Sequence, residues 1–462
     1  MLAVRIFLLG LSGVIIFFSD GYSQAFVKAD SLIKGAYGAA AWGDFDNDGR
    51  KDIVYISQTI DTINPDIFNV YRNTGTGFEI TASFPMLFTP AIAWGDLNND
   101  GFEDFVASGL DMTVGNSKLN IYVSNGDGTF DVIDTLPGFS AGAIAIADYD
   151  NDGLNDFVAS GYNSSSQREV ILFKNEGSLN FSIAAHNFEA LPAGEMKWCD
   201  FNNDGFADLS LTGDGVFSRT YLYKNNGGGS FTLSDNQFKG GRGTIDWLDL
   251  NSDGWEDLFV SGVDSTAAFT YTNIYLNNGD ETFTEAMTNF PKFGEPSAAD
   301  VADFNNDGVP DIFIAGGNEL FFEHFSCLAL TNTATSFTLS QLIHADIMNC
   351  IVEAADYDND GDADLLVGHV IWENTGELSV YSLKQSLIQL YPNPSDEYVI
   401  ITTDEDDIPA QIYSTQGQKI IDLKLKKGDN KIALSGFSSG NYLVRIQKGN
   451  AVQVEKMIFV KP

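Results

Sequence analysis

The sequence predicts an all-β chain in which seven four-stranded sheets form a ring and a small β-sandwich follows. Three observations carry that expectation. A nine-residue acidic stretch, D-x-[DN]-x-D-G-x-x-D, is written seven times, beginning at Asp44, Asp96, Asp148, Asp200, Asp249, Asp303 and Asp356. The copies are 52, 52, 52, 49, 54 and 53 residues apart, a spacing that marks a repeat architecture. The charge also changes regime: the chain carries −39 overall, yet Ser386 to Pro462 balances nine Lys and Arg against nine Asp and Glu. A separate domain over 386–462 follows from that change.

Each repeat shows four short runs rich in Val, Ile, Phe and Tyr, separated by Gly, Asn and Asp, as strands joined by turns are. In the second unit these are Pro90–Gly95, leading into the acidic stretch, then Asp104–Ser108, Lys118–Val123 and Thr129–Asp134. The third run usually ends in an aromatic-x-Asn-x-Gly turn, as in Tyr71–Gly75, Phe173–Gly177, Tyr223–Gly227 and Trp372–Gly376. Asn and Gly tolerate positive φ, so a tight hairpin to the fourth strand is expected there. Four antiparallel strands repeated seven times describe a seven-bladed β-propeller over 25–385. Closing the ring buries every blade face, whereas an open stack leaves two exposed. A linear β-solenoid is the alternative, but its repeats are far shorter. The run Phe26–Ile33 resembles a fourth strand and is expected to complete the last blade; Leu378–Leu383 is the other candidate.

Residues 1–24 read as an export signal: Arg5, then an apolar run from Ile6 to Phe18, then small and polar residues. That run is shorter than the roughly 20 residues a membrane-spanning helix needs. The expectation is a chain exported to the outside or to the outer cell surface. With 44% hydrophobic residues the chain can build cores. A charge of −39 disfavours nucleic acid and anionic membrane surfaces as partners and favours bound cations. Three cysteines, Cys199, Cys327 and Cys350, are too few for a disulfide framework and read as free thiols, with a Cys327–Cys350 bridge left open.

The acidic stretches are the candidate metal sites. Positions 1, 3, 5 and 9 bring together Asp44, Asp46, Asp48 and Asp52; Asp96, Asn98, Asp100 and Asp104; Asp148, Asp150, Asp152 and Asp156; and Asp200, Asn202, Asp204 and Asp208. The last three groups are Asp249, Asn251, Asp253 and Asp257; Asp303, Asn305, Asp307 and Asp311; and Asp356, Asp358, Asp360 and Asp364. Two carboxylates about 5 Å apart repel by about 3 kcal/mol at an effective dielectric near ~20, so such loops call for a cation. Oxygen donors at alternate positions, a carbonyl at position 7 and Gly at position 6 suit Ca2+, in up to seven loops, as in the first half of an EF-hand loop. Mg2+ resists dehydration and fits less well. An EF-hand itself is excluded, because position 12 holds residues such as Tyr55, Ala107 and Ala159 and the flanks are strands. A plain Asx-Gly turn with solvated charge is the bland alternative.

Together the loops and their flanks, such as Ala41–Gly49 and Ala93–Gly101, resemble the FG-GAP/VCBS family of calcium-binding propeller repeats. That resemblance implies structural calcium and a binding or adhesion role. Leu390-Tyr391-Pro392-Asn393-Pro394, Gly440–Ile446 and Lys456–Lys461 resemble the C-terminal sorting domain of the type IX secretion system. It implies a partner in that secretion machinery; an ordinary Ig-like β-sandwich module is the alternative.

No nucleophile elbow, HExxH, phosphate loop or dinucleotide fingerprint is present in the mature chain, so no catalytic residue and no organic cofactor are assigned. The four histidines, His186, His324, His344 and His369, lack metal-ligand spacing. The expected function is adhesion or binding, with an extracellular glycan or protein as ligand. A polysaccharide-active lyase or hydrolase is the rival, since paired acids are invisible in a chain this acidic. The acidic loops and the Asn-Gly turns share one face of the ring. The opposite face carries the connections that do not repeat, among them 57–66, 109–117, 162–168 and 317–326 with Phe321 and Phe322, and variable loops are where ligands are met.

Overall fold

The computed structural model describes residues 26–32, 37–58, 67–214, 219–236, 238–263, 270–286, 294–317, 324–333, 336–340, 351–375, 389–391, 398–403, 406–414, 419–434, 436–448 and 451–459. The segment read as an export signal, the run 378–383, the 385/386 boundary, Phe321, Phe322 and Cys350 lie outside those residues. The chain divides into two compact units, Ala25–Gly376 and one that contains Glu377–Pro462. Every described element is a strand.

The first unit contains seven antiparallel sheets. In sheet 2, Phe88–Gly95, Asp104–Asp111, Asn116–Ser124 and Phe130–Pro137 pair in that order. Sheets 1, 3, 5 and 6 repeat this meander, and sheet 4 adds a short strand, Phe238–Lys239, beside Arg219–Asn225. The innermost strands are Tyr37–Gly43, Phe88–Gly95, Ile144–Ala147, Met196–Cys199, Gly241–Leu248, Gly294–Ala302 and Val352–Ala355. Each contacts the next, and the last contacts the first, so the seven sheets close a propeller-like ring.

Burial explains the sequence of each blade. Second strands are covered on both faces by neighbouring sheets; Asp257–Val263 is buried at every position. Such strands read as near-continuous apolar runs rather than alternating ones. Period-two geometry still assigns their side chains to different cores. Val54 and Ile56 pack with Phe105 and Tyr122 of sheet 2, while Ile53 and Tyr55 pack with Leu366 and Ile371 of sheet 7. Outermost strands such as Phe78–Ser83 are largely exposed or half-buried.

Sheet 7 is completed by the N-terminal strand Phe26–Ser31, which pairs antiparallel with Val370–Asn374. The fully buried Phe26 ring packs edge-on against Phe304 and Phe313 of sheet 6, at 5.9 and 6.4 Å. The expected closure of the last sheet by the N-terminal run is therefore what forms, over Phe26–Ser31; Ile33 lies outside the described residues. One detail is corrected: the turn beginning at Trp372 does not deliver the fourth strand of its sheet, because the N-terminal strand already occupies that edge.

In the second unit, Gln389–Tyr391, Tyr398–Thr403 and Gly428–Ala433 form one sheet. Lys419–Leu425, Ile408–Ser414, Gly440–Lys448 and Ala451–Phe459 form a second. Alternate side chains of both, including Val399, Ile401, Ile412, Val444 and Ile446, share one buried core. This is a two-sheet sandwich.

Candidate functional site

All seven acidic loops take the same backbone path between first and second strands. Position 4 is left-handed throughout, at φ 54 for Asn47, 58 for Asn99, 59 for Asn151, 54 for Asn203, 57 for Ser252, 55 for Asn306 and 62 for Asn359. Asn tolerates that region better than most residues. Gly at position 6 is also left-handed, from 84 at Gly49 to 95 at Gly361. The two reversals curl the loop around its own side chains. The position 1 carboxylate accepts the N–H groups of positions 5 and 6, as Asp148 does from Asp152 (3.0 Å) and Gly153 (2.8 Å). Position 5 accepts the N–H of position 7, as Asp152 does from Leu154 at 3.0 Å.

The position 9 aspartate is the buried floor of each loop. Asp156 Oδ1 accepts the Asn175 N–H at 2.7 Å and Oδ2 the Tyr149 N–H at 3.3 Å. Burial pushes Asp52, Asp104, Asp156, Asp208, Asp257 and Asp364 up to about 7 from 3.8, against the pull of those N–H donors. No side-chain cation reaches this floor in most loops, so the buried charge lacks compensation.

The loops are not equivalent. Three carboxylates bring one oxygen each within 4.8 Å of one another in loop 1 (Asp44, Asp46, Asp48), loop 3 (Asp148, Asp150, Asp156) and loop 7 (Asp356, Asp358, Asp360). Asp46 Oδ1 and Asp150 Oδ1 are buried there with no hydrogen-bond donor. These orphaned acceptors suit a hard cation with oxygen ligands. In loops 2, 4 and 5 an Asn at position 3 instead donates to position 5: Asn98 to Asp100 at 2.8 Å, Asn202 to Asp204 at 3.0 Å, Asn251 to Asp253 at 2.9 Å. Arg72 pairs with Asp46 in loop 1, and Lys174 with Asp150 and Asp152 in loop 3. Loop 7 has Glu373 in that place, whose charge raises the pKa of Asp358 further after burial and Asp360.

Two sets of residues join loops of neighbouring sheets, and neither role is read from the motif alone. The position 4 side chain donates to the position 6 carbonyl of the next loop: Asn99 to Gly153 at 2.7 Å, Asn151 to Gly205 at 2.8 Å, Asn203 to Gly254 at 3.0 Å. The Asn of each Asn-x-Gly turn is buried between two loops. Asn175 Nδ2 donates to Leu97 O (2.8 Å) in loop 2 and Asn155 O (3.0 Å) in its own, and Oδ1 accepts the Gly177 N–H (3.0 Å). Asn225, Asn277, Asn374 and Asn73 repeat this. Sheet 2, which has Ser124 there, keeps the link: Ser124 Oγ donates to Phe45 O at 2.7 Å. The signal was Asn at position 4 in six of seven copies.

A further polar cluster lies on the innermost strands. Three residues before each acidic stretch stand Ala41, Ala93 and Ala145 in units 1–3, but Lys197, Asp246, Asp300 and Glu353 in units 4–7. The innermost strands surround a cavity of about 530 Å³ whose wall includes Ala41, Glu195, Lys197 and Glu353. Lys197 Nζ is 3.7 Å from both Glu195 Oε1 and Asp246 Oδ1. Glu195 Oε2 accepts from Thr244 Oγ1 (2.7 Å) and the Ile245 N–H (2.9 Å), clasping sheet 4 to sheet 5. Asp300 accepts the N–H groups of Val301 (2.9 Å) and Ala354 (2.7 Å). Burial raises Asp246 to about 7 and lifts Asp300 and Glu353 as well, while Asp246 and its neighbours hold Lys197 above its usual range.

The FG-GAP-like repeat matches residues 44–107, 96–159, 200–260 and 249–314, together half of the chain. The chain belongs to the FG-GAP-like repeat family. The matched segments of this FG-GAP-like chain begin on the first aspartate of loops 1, 2, 4 and 5. A secretion system C-terminal sorting domain (Por) matches residues 389–461, the two-sheet sandwich, and marks the chain for type IX export to the cell surface or beyond. No curated protein matches the chain. Among solved structures, PorZ, a surface component of the type IX secretion system of Porphyromonas gingivalis, is 13% identical, with 89% of this chain and 68% of that one covered and a TM-score of 0.31. AofleA from Arthrobotrys oligospora is 9% identical, with 69% and 89% covered and a TM-score of 0.42. A fructofuranosidase from Schwanniomyces occidentalis is 10% identical, with 88% and 93% covered and a TM-score of 0.31. At these values the likeness carries over neither an activity nor a ligand. Among the described residues no helix is long and apolar enough to cross a membrane.

Proposed function

We propose that this exported FG-GAP-like protein is an adhesion or binding module for glycan or protein ligands, braced by Ca2+ in its acidic loops. The observation that supports it is the division of labour between the two edges of the ring. One edge is occupied by seven loops of one backbone path, most of them hydrogen-bonded to a neighbour, which suits bracing and leaves little to distinguish one ligand from another. The other edge carries connections that differ between sheets, such as the turn at Asp111–Gly115, where Met112 and Val114 stand 60% and 57% exposed. Rigid scaffolds commonly present ligands to such loops.

Calcium would be held by carboxylates at positions 1, 3 and 5, with the position 7 carbonyl and the position 9 floor completing the set. Its charge supplies the compensation the buried floor lacks. Loops 1, 3 and 7 gather the most carboxylates, so they are the best sites, with loop 7 first because Glu373 stands where loops 1 and 3 have Arg72 and Lys174.

A polysaccharide-active enzyme is the second reading, favoured by Glu195 and Glu353 on the cavity wall with the carboxyls of Asp246 and Asp300 packed behind them around Lys197. A glycan array and a protein-capture screen, run beside a turnover assay on the same polysaccharides, test the proposal. Binding without product supports the module; product formation that disappears with one channel acid overturns it.

A further inference from the structure

The wall of the channel is chemically divided. Around one layer of the ring the innermost strands place Ala41, Ala93 and Ala145 on three consecutive sheets, then Lys197, Asp246, Asp300 and Glu353 on the other four. Some of the polar groups have an evident structural task. Glu195 and Asp300 each accept an N–H from the adjoining sheet, at 2.9 and 2.7 Å, and so tie sheet 4 to 5 and sheet 6 to 7.

Asp246 is 7% exposed and is met within the protein: its Oδ1 accepts the Trp247 N–H at 3.0 Å, and its carboxyl shares a hydrogen bond with that of Asp300. The two groups left for a ligand are Lys197 and Glu353, both on the cavity wall. The nearest acceptors measured from Lys197 Nζ are 3.7 Å away, beyond hydrogen-bonding reach. Glu353 stands on the cavity wall, and among the described residues its carboxylate accepts no hydrogen bond. An ammonium with unused donors and a carboxyl with unused lone pairs, both on the wall of one cavity, is an expensive arrangement unless a ligand meets them.

The chemistry of these groups selects among ligands. A divalent cation is disfavoured because Lys197 already sits among the acids, and the three-carboxylate groups that converge within 4.8 Å among the described residues are those of the loops. An anion would meet the carboxyl groups of Glu195 and Glu353 on the wall. An apolar molecule would leave every orphan unpaired. A hydroxyl group both donates and accepts, so a neutral polyol satisfies carboxylate and ammonium together while its less polar face lies on the alanines. At about 530 Å³ the cavity has the size of an ordinary small-molecule pocket.

We propose that the channel binds a neutral sugar, its hydroxyls donating to the Glu353 carboxylate and accepting from Lys197, both on the cavity wall. This rests on the reading of the protein as a binding module and supplies that reading with a site and a ligand class. The test uses the full chain with calcium present, and as probes glucose, galactose, mannose, xylose, fucose and cellobiose, read by saturation-transfer NMR and calorimetry. At least one probe binds, and its affinity falls about tenfold or more in Lys197→Met and in Glu353→Gln, the loss expected for a hydrogen bond to a charged group. Ala41→Leu, which fills the alanine side and leaves the cluster intact, abolishes binding. Glu353→Gln keeps the assay decisive if Lys197→Met fails to fold, since the Glu353 carboxylate holds no other group in place. Equal affinity in all three variants overturns the channel site and leaves the binding module standing. No binding of any probe, with ordered water alone in the cavity, overturns it too; capture of a protein ligand in the same preparation would still uphold the module.

Discussion

Asn359 in loop 7 donates its side-chain N–H to the carbonyl oxygen of Gly49 in loop 1, at 2.9 Å, across a sequence separation of 310 residues. The same bond links loops 2 to 3, 3 to 4 and 4 to 5. The last loop therefore meets the first as it would meet a consecutive neighbour, and the loop edge is sealed by the same chemistry that runs around it. Asn359→Gly keeps the left-handed backbone and removes the bond. The expected loss is about 0.5–1 kcal/mol, at the low end because the site is exposed. Asn359→Ala should cost more, since it adds the strain of a β-carbon at φ 62. Denaturant melts of both variants read the difference; equal losses would show that the backbone conformation contributes nothing.

The Asn of the aromatic-x-Asn-x-Gly turn should be the costlier position. Asn175 is fully buried, and its amide spans loops 2 and 3 with three hydrogen bonds. Asn175→Ala leaves the carbonyl oxygens of Leu97 and Asn155 without this donor and should cost about 2–4 kcal/mol. Ser124→Ala, which removes one donated bond to Phe45 O and one accepted from Gly126, should cost about half as much. Urea unfolding of the two variants checks the order.

These two roles mark where the sequence is legible and where it stops. Spacing of the acidic stretch and four apolar runs per unit are enough for the ring, because each blade solves the same burial problem in the same way. Phe26–Ser31 could be placed in sheet 7 because its run resembles the fourth strand of the other units. The Asn-x-Gly turn, by contrast, reads locally as a hairpin, and nothing local says that Asn175 reaches Leu97 in the preceding sheet. The polar channel layer is written in the sequence, as Lys197, Asp246, Asp300 and Glu353 at one repeat position, but in a chain with 64 acids such a column stands out only once the innermost strands are known. Convergence in loops 1, 3 and 7 depends on side-chain directions that Asp or Asn at position 3 only partly determines.

The channel cluster should make stability depend on pH. Burial raises Asp246 from 3.8 to about 7, with Asp300 and Glu195 adding to the rise and Lys197 opposing it. Asp300 and Glu353 are raised by burial as well. A carboxyl whose folded pKa is raised holds its proton more tightly folded than unfolded. Its contribution is fully present below the unfolded value near 3.8 and is lost as pH climbs through about 7. Asp246→Asn cannot ionise, so it should gain stability relative to the parent chain across that window. Melting temperatures of both chains from pH 5 to 8, at fixed calcium (buffer range set about the folded value near ~7), provide the check. Parallel curves would mean that Asp246 does not titrate as its burial requires.

Calcium removal should lower the melting temperature, because a ligand bound only by the folded state stabilises it. The loops should not respond alike. Lys174 lies across loop 3, paired with Asp150 and Asp152, and competes there with any bound cation. Lys174→Met removes that internal competitor and should tighten calcium binding at loop 3 by about tenfold, the equivalent of one lost unit charge near the site screened by solvent. The same substitution should weaken the calcium-free protein slightly, since Asp150 then lacks its counter-charge. Glu373→Lys brings such a competitor to loop 7 and should weaken calcium binding there. Titration calorimetry beside melts with and without EGTA separates the two effects. Unchanged melting on chelation in all three chains would remove calcium from the account of this fold.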